Sequence, residues 1–138
     1  MTPADTTSEL AYCVVGGCGH VGLPLAMAFA RTGIQTASFD INPSAVESVN
    51  AGRMPFDEPE APAILAEILA AGTFRASTDP AVVSAADVVI VVVGTPVDEH
   101  LNPDTQAVPD AITALGPNLR DGQLLVLRST VFPGVTRL

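Results

Sequence analysis

Gly17-Cys18-Gly19-His20-Val21-Gly22 is the stretch whose reading decides the fold. It spells G-x-G-x-x-G. Bare, the pattern says little, because glycines cluster in many turns. Here it follows Ala11–Val15, an apolar run of strand length, and opens Leu23–Thr32, an apolar run of helix length. Strand, glycine loop and helix together make a phosphate-binding turn. Gly17 is expected to permit the tight turn, Gly19 to let a pyrophosphate approach the backbone, and Gly22 to let the helix pack close to the sheet. The helix N-terminus then offers free N–H groups and the positive end of its dipole. Without a ligand the same six residues would be only a tight strand-to-helix turn.

Outward from the loop, apolar strands alternate with Ala-rich stretches. Gln35–Asp40, Thr73–Ala76, Asp87–Val93 and Gln123–Leu127 read as the later strands. Gly33, Gly52 and Gly72 close helices, Asn42-Pro43 and Asp79-Pro80 start them, and Val108, Ile112, Leu115 and Leu119 share one helical face. Pro109 fits that face only if its helix starts late. The alternation predicts an α/β fold of the Rossmann type: a doubly wound parallel sheet of about five strands with helices on both faces. Residues 1–10 are expected to be a flexible arm and 11–138 the dinucleotide-binding domain. Asp40 ends the second strand, 18 residues after Gly22. A carboxylate there accepts hydrogen bonds from a ribose and repels a 2′-phosphate, which selects NAD over NADP. The same residue could also cap the helix that follows.

Bulk properties narrow the function. Six basic residues face fifteen acidic ones, a net charge of −9, which excludes a nucleic-acid partner. The chain is 48% hydrophobic and 15% charged, rich enough in apolar side chains to build a core. Its N-terminus carries no apolar signal region, and Val88–Val93 is too short to span a membrane, so a cytoplasmic location without membrane attachment is the default. Cys13 and Cys18 match no zinc spacing and read as reduced packing residues; no metal site is expected.

Later motifs are more specific. Leu23-Pro24-Leu25-Ala26, Asp40-Ile41-Asn42, Asn50-Ala51-Gly52, Pro55-Phe56-Asp57-Glu58-Pro59, Gly94-Thr95-Pro96-Val97, Pro103-Asp104 and Ser129-Thr130-Val131-Phe132-Pro133-Gly134 occur in this order. From about Tyr12 onward the set resembles the UDP-glucose and UDP-N-acetylmannosamine 6-dehydrogenase family. The resemblance implies an enzyme that oxidises the C6 alcohol of a UDP-sugar to a carboxylate with two NAD, within a homo-oligomeric parent that serves polysaccharide biosynthesis. It also implies cofactor contacts from Gly17 to Gly22, Asp40, Thr95, Pro96, Ser129 and Thr130, with Thr130 in a supporting role near the reacting centre. Each threonine could instead be a strand-end cap.

The chain departs from the family at several positions. His20 stands where a Tyr is usual and reads as a loop-lining ring rather than a catalytic base, since no acid–base partner is evident. Ala45 replaces an Arg that often holds the adenosine end. Glu60 stands where the family's Glu-Pro-Gly-Leu segment has glycine. Arg128 replaces an acidic residue or lysine, and Gly16 a β-branched residue. The family's nucleophilic Cys, catalytic Lys, helical core and UDP-sugar-binding domain are not among these residues. The 138-residue chain alone is therefore expected to be inactive, with the fifth strand exposed for want of a sixth. A stand-alone NAD-sensing regulatory module is the alternative.

Overall fold

The computed structural model describes residues 10–93, 100 and 106–128. Five strands, β1 (Leu10–Val15), β2 (Thr36–Phe39), β3 (Phe74–Ser77), β4 (Ala86–Val91) and β5 (Leu124–Leu127), form one sheet. Every pairing is parallel and the order is β3-β2-β1-β4-β5. The chain winds outward from β1 through β2 to β3, then crosses back to lay β4 on the other side of β1. The point of reversal lies between β1 and β4, and open α/β sheets bind ligands at that point, beyond the carboxyl ends of the strands.

Alternation along the strands divides the core in two. Val14 packs with Leu23, Met27 and Ala30 of α1 (Gly22–Arg31), Val49 of α2 (Pro43–Asn50), and Leu65 and Ile68 of α3 (Ala61–Ala71). Cys13 and Val15 point the other way, with Val82 and Val83 of α4 (Ala81–Ser84) and Leu115 of α5 (Ala107–Leu115). Both faces of the sheet are thus covered. Strands buried on both faces must be largely apolar, which is why β1 and, beyond the exposed Asp87, β4 read as apolar runs. This is the Rossmann architecture that the glycine loop and the strand–helix alternation predict.

The local devices act as their residues dictate. Asn42 Oδ1 accepts the N–H groups of Ser44 (3.1 Å) and Ala45 (3.3 Å) ahead of α2. Asp79 Oδ1 does the same for Ala81 at 2.9 Å before the single turn of α4. Pro109 is the third residue of α5, in the first turn, where its missing N–H has no intrahelical partner to lose. Leu119 falls beyond that helix, after a 3₁₀ turn at Gly116–Asn118, yet still packs on the same core.

Two details differ from expectation. Residues 1–9 lie outside the described residues, but Leu10, placed with the arm by sequence, opens β1 and is buried. Its side chain completes the β1 face that meets α4 and α5. The Asn50 motif also has a role that the sequence does not announce. The Asn50 amide donates to the Ala76 carbonyl at 2.8 Å and accepts the Ala76 N–H at 2.9 Å. It pairs with edge strand β3 as another strand would, and so blunts that edge against further pairing.

Glu60, just before α3, is the one non-glycine residue with positive φ among the described residues, at φ 68° and ψ −18°. The left-handed region costs a side-chain-bearing residue roughly 1–2 kcal/mol, which glycine avoids. The position is the one where the family's segment carries glycine. Glu60→Gly is expected to stabilise the domain by about 1 kcal/mol, a rise in Tm of about 4 °C on thermal unfolding. An unchanged or lowered Tm would show that the Glu60 side chain repays its backbone strain.

Candidate functional site

The glycine loop spans the carboxyl ends of β1, β2 and β4. Its glycines answer to different constraints. Gly16 sits at φ +79°, and a Cβ there would overlap the Val92 carbonyl. A Cβ on Gly17 would overlap the Ser38 hydroxyl and crowd the Val14 carbonyl. One on Gly22 would run into the Gly16 carbonyl. The positive-φ turn residue is thus Gly16, one position before the motif, and Gly17 is glycine because β2 lies directly beneath it. Gly19 differs from all three. Among the described residues its Cβ would meet only the Gly16 oxygen at 3.5 Å, an ordinary contact. Packing among the described residues does not require glycine there, whereas a pyrophosphate approaching the backbone would.

Asp40 closes β2 beside the loop. Its Oδ2 accepts the Cys18 N–H at 3.1 Å and its Oδ1 accepts the Asn42 N–H at 3.0 Å. Each oxygen of an ionised carboxylate has about two acceptor sites, so one per oxygen stays open for a hydroxyl. Asp40 therefore ties the loop to β2 and still faces outward. The helix-cap alternative is also met in part, since Asp40 holds the backbone of the true cap, Asn42. Val21 precedes α1 with no side-chain cap, and no acid stands in the first turn, which leaves the helix N-terminus open to an anion.

His20 is exposed and stacks on Phe56, ring centroids 4.3 Å apart and 21° from parallel. It is a ring packed against the loop that carries Phe56. Between β1 and β4 opens a cleft of about 640 Å³, reaching from Gly16, Gly19 and Asp40 past Ile41 and Pro80 to α5. It is large enough and apolar enough for the adenosine half of a dinucleotide. Together, an open glycine, an outward-facing ribose acid and this cleft fit NAD. Thr95, Pro96, Ser129 and Thr130 lie outside the described residues.

A family model described as the UDP-glucose/GDP-mannose dehydrogenase family, NAD binding domain, matches residues 11–138. The chain belongs to this family. NAD is its cofactor. UDP-N-acetyl-D-mannosamine dehydrogenase of Escherichia coli is 36% identical over 120 residues, 87% of this chain and 28% of that protein. NDP-N-acetyl-D-galactosaminuronic acid dehydrogenase of Ralstonia nicotianae is 34% identical over 122 residues, 88% of this chain and 28% of its own length. Among solved structures, GDP-mannose dehydrogenase of Pseudomonas aeruginosa superposes with a TM-score of 0.85 at 26% identity, covering 93% of this chain and 30% of that one. A UDP-glucose dehydrogenase from Pyrobaculum islandicum gives 0.82 at 33% identity, over 99% and 33%. The chain spans less than a third of the curated relatives it matches.

Among the described residues, reactive thiols are few. Cys13 and Cys18 are free and buried. Burial pushes the Cys13 thiol from 9.0 up to about 12. Burial, and then the Asp40 carboxylate, does the same to Cys18. Neither is a thiolate near neutral pH, so neither can act as a nucleophile. Among the described residues no cluster of His, Cys, Asp or Glu could hold a metal, and no helix is long and apolar enough to cross a membrane.

Sequence reasoning missed Ser38, Phe56, Ile41 and Asp110. Ser38 is fully buried, its hydroxyl has no partner among the described residues, and it lies against Gly17. Nothing in the serine itself marks it; only the folded approach of β2 to the loop does. Asp110 lies in the first turn of α5, the helix after β4, and joins the cleft only once that helix packs beside the switch point of the sheet.

The glycine contrast generates a direct test. Gly19→Val should leave the melting temperature near wild type and abolish NAD binding by calorimetry, because the branched side chain fills the space a pyrophosphate needs. Gly17→Ala should instead destabilise the fold, by about 1–3 kcal/mol as overpacking does. A folded Gly19→Val protein with unchanged NAD affinity would reduce the loop to a turn.

Proposed function

We propose that this chain is the cofactor half of an enzyme that oxidises the C6 alcohol of a UDP-sugar to a carboxylate with two NAD. Gly19 is the observation that carries the reading. It is the loop glycine that packing leaves free, and it lies between the α1 N-terminus and Asp40. In this reading the backbone of Gly17–Gly22 (Gly17, Cys18, Gly19, His20, Val21, Gly22) and the α1 N-terminus hold the pyrophosphate. Asp40 accepts from the adenosine ribose. Thr95, Pro96, Ser129 and Thr130 serve the nicotinamide end, as the resemblance assigns them, with Thr130 supporting the reacting centre. The relatives' names, a UDP-N-acetyl-D-mannosamine dehydrogenase among them, support a UDP-sugar as the substrate.

Bound NAD takes up a hydride from the carbon being oxidised. The residues of this chain bind and orient; they do not complete the reaction. All six basic residues are arginines, at 31, 53, 75, 120, 128 and 137, so no lysine is present to stabilise an oxyanion. Both thiols are buried and protonated. Holding reactants in register accounts for roughly 7–11 kcal/mol of a barrier, and one wall of a site cannot supply it. The 138 residues alone are therefore inactive in this reading.

Calorimetry with the two dinucleotides tests the ribose assignment. NAD should bind well ahead of NADP, since Asp40 repels a 2′-phosphate and Ala45 offers no cation to receive one. Asp40→Ala combined with Ala45→Arg should narrow the gap. Equal dissociation constants in the wild type would overturn the assignment. A second test incubates the 138-residue chain with NAD and a panel of UDP-sugars while NADH absorbance is followed. No signal is expected, and sustained NADH formation would show that a complete site is present.

A further inference from the structure

The cleft beyond Asp40 has walls of mostly one kind. Val15, Val92, Val93, Pro80, Ala111 and Leu115 make it apolar. Ile41 stands beside it with 85% of its surface exposed, an aliphatic side chain left in water at the edge of a cavity. Such a slot fits a flat heteroaromatic ring. Among the described residues, three polar side chains line it: Asp40, Asp110 and Asn118.

Topology separates the three. β4 and β5 are parallel and α5 joins them, so α5 runs back against the strands. Its first turn, with Asp110, stands at the carboxyl end of the sheet, where Asp110 lines the same cleft as Gly19 and Asp40. Asn118 lies two turns further on, toward the other end. Asp40 already accepts the Cys18 and Asn42 N–H groups. The Asp110 carboxylate has no hydrogen-bond or ion-pair partner among the described residues.

We propose that Asp110 selects the base of the dinucleotide: its carboxylate accepts a hydrogen bond from the exocyclic amino group of a 6-aminopurine seated between Ile41 and α5. This rests on the NAD reading of the cleft. An ionised carboxylate can only accept. The 6-amino group is the donor that an adenine ring offers. A 6-oxopurine puts an acceptor at the same place, so attraction becomes repulsion. Asp110 is exposed in the free chain, and a base seated over it displaces the water from its carboxylate, so an analogue without the donor leaves that carboxylate without a replacement partner. Asp110 thus makes the cleft specific for adenine, while Asp40 makes it specific for an unphosphorylated ribose.

The test compares NAD with nicotinamide hypoxanthine dinucleotide, in which the amino group is replaced by a keto oxygen, by calorimetry on the 138-residue chain. The wild type should favour NAD by about tenfold, the size expected for one charge-assisted hydrogen bond. Asp110→Ala should weaken NAD by a similar factor, leave the hypoxanthine analogue nearly unchanged, and so erase the preference. Asp110→Asn, whose amide can accept from an amino group or donate to a keto group, should bind both nucleotides. An acid in the first turn also favours its helix, so a purely structural role would lower both affinities together and keep their ratio. A tenfold ratio that survives in a folded Asp110→Ala protein overturns the proposal. So does a wild type that binds the two nucleotides equally. A wild type that binds neither overturns the NAD reading itself, and the proposal falls with it.

Discussion

How closely the loop after β1 approaches the ends of β2 and β4 governs the rest of the site. Backbone meets backbone there. The Gly16 N–H and Gly17 N–H both reach the Phe39 carbonyl, at 2.9 and 3.1 Å, and the Gly19 N–H turns back to the Gly16 carbonyl at 3.3 Å. No side chain fits at Gly16, Gly17 or Gly22 without displacing main chain or the Ser38 side chain. Asp40 completes the arrangement from β2 by holding the Cys18 N–H. One carboxylate therefore fixes where the loop sits and faces the place where a ribose would be. Moving it would disturb the phosphate and sugar positions together.

That approach is possible because the sheet beneath it is fixed on both faces. β1 is central, with β2 and β4 as parallel neighbours, and Val14 and Val15 anchor it to opposite cores. The outer edge on the β3 side is closed by Asn50. β5 is the opposite edge among the described residues, and Leu124 there is 59% exposed. The two edges are finished differently: one is blunted from within the domain, while the other presents apolar surface. The stiff part of the molecule is thus the part that carries the loop, and precision at Gly19 and Asp40 follows from strand register rather than from the loop's own residues.

Much of this was legible in the sequence, for reasons of chemistry. Continuous Val, Ile and Leu runs mean strands buried on both faces, and Asn-Pro or Asp-Pro before an Ala-rich run means a capped helix; all five strands and the loop lie where those rules put them. What the sequence could not show is proximity. Gly16 looked like a departure from pattern because the Val92 carbonyl that forbids a Cβ is far away along the chain. Glu60 looked like a mere substitution because its left-handed backbone is set by the turn into α3. Ser38 and Asn50 are ordinary polar residues until β2 slides under Gly17 and β3 comes within reach of an amide. Asp110 has no mark in the sequence, and only the run of α5 back along the sheet brings it to the cleft that Asp40 also lines.

Charge sets the last constraint. The chain carries −9, and two of its acids line the cleft that an anionic dinucleotide enters. Global attraction therefore cannot hold the ligand. The repulsion from distant acids is screened over about 8–10 Å in physiological salt, whereas backbone dipoles act at contact. In the proposed reading the phosphates are held by the loop N–H groups and the α1 N-terminus, where neither a side-chain cap nor a first-turn acid competes. The acids proposed to read the nucleoside would then act locally and in the opposite sense, accepting from hydroxyl and amino groups and turning away a further phosphate. An acidic domain gains selectivity from this division. In that arrangement the dipoles of the loop would accept any pyrophosphate, and the carboxylates would decide which nucleoside can be attached to it.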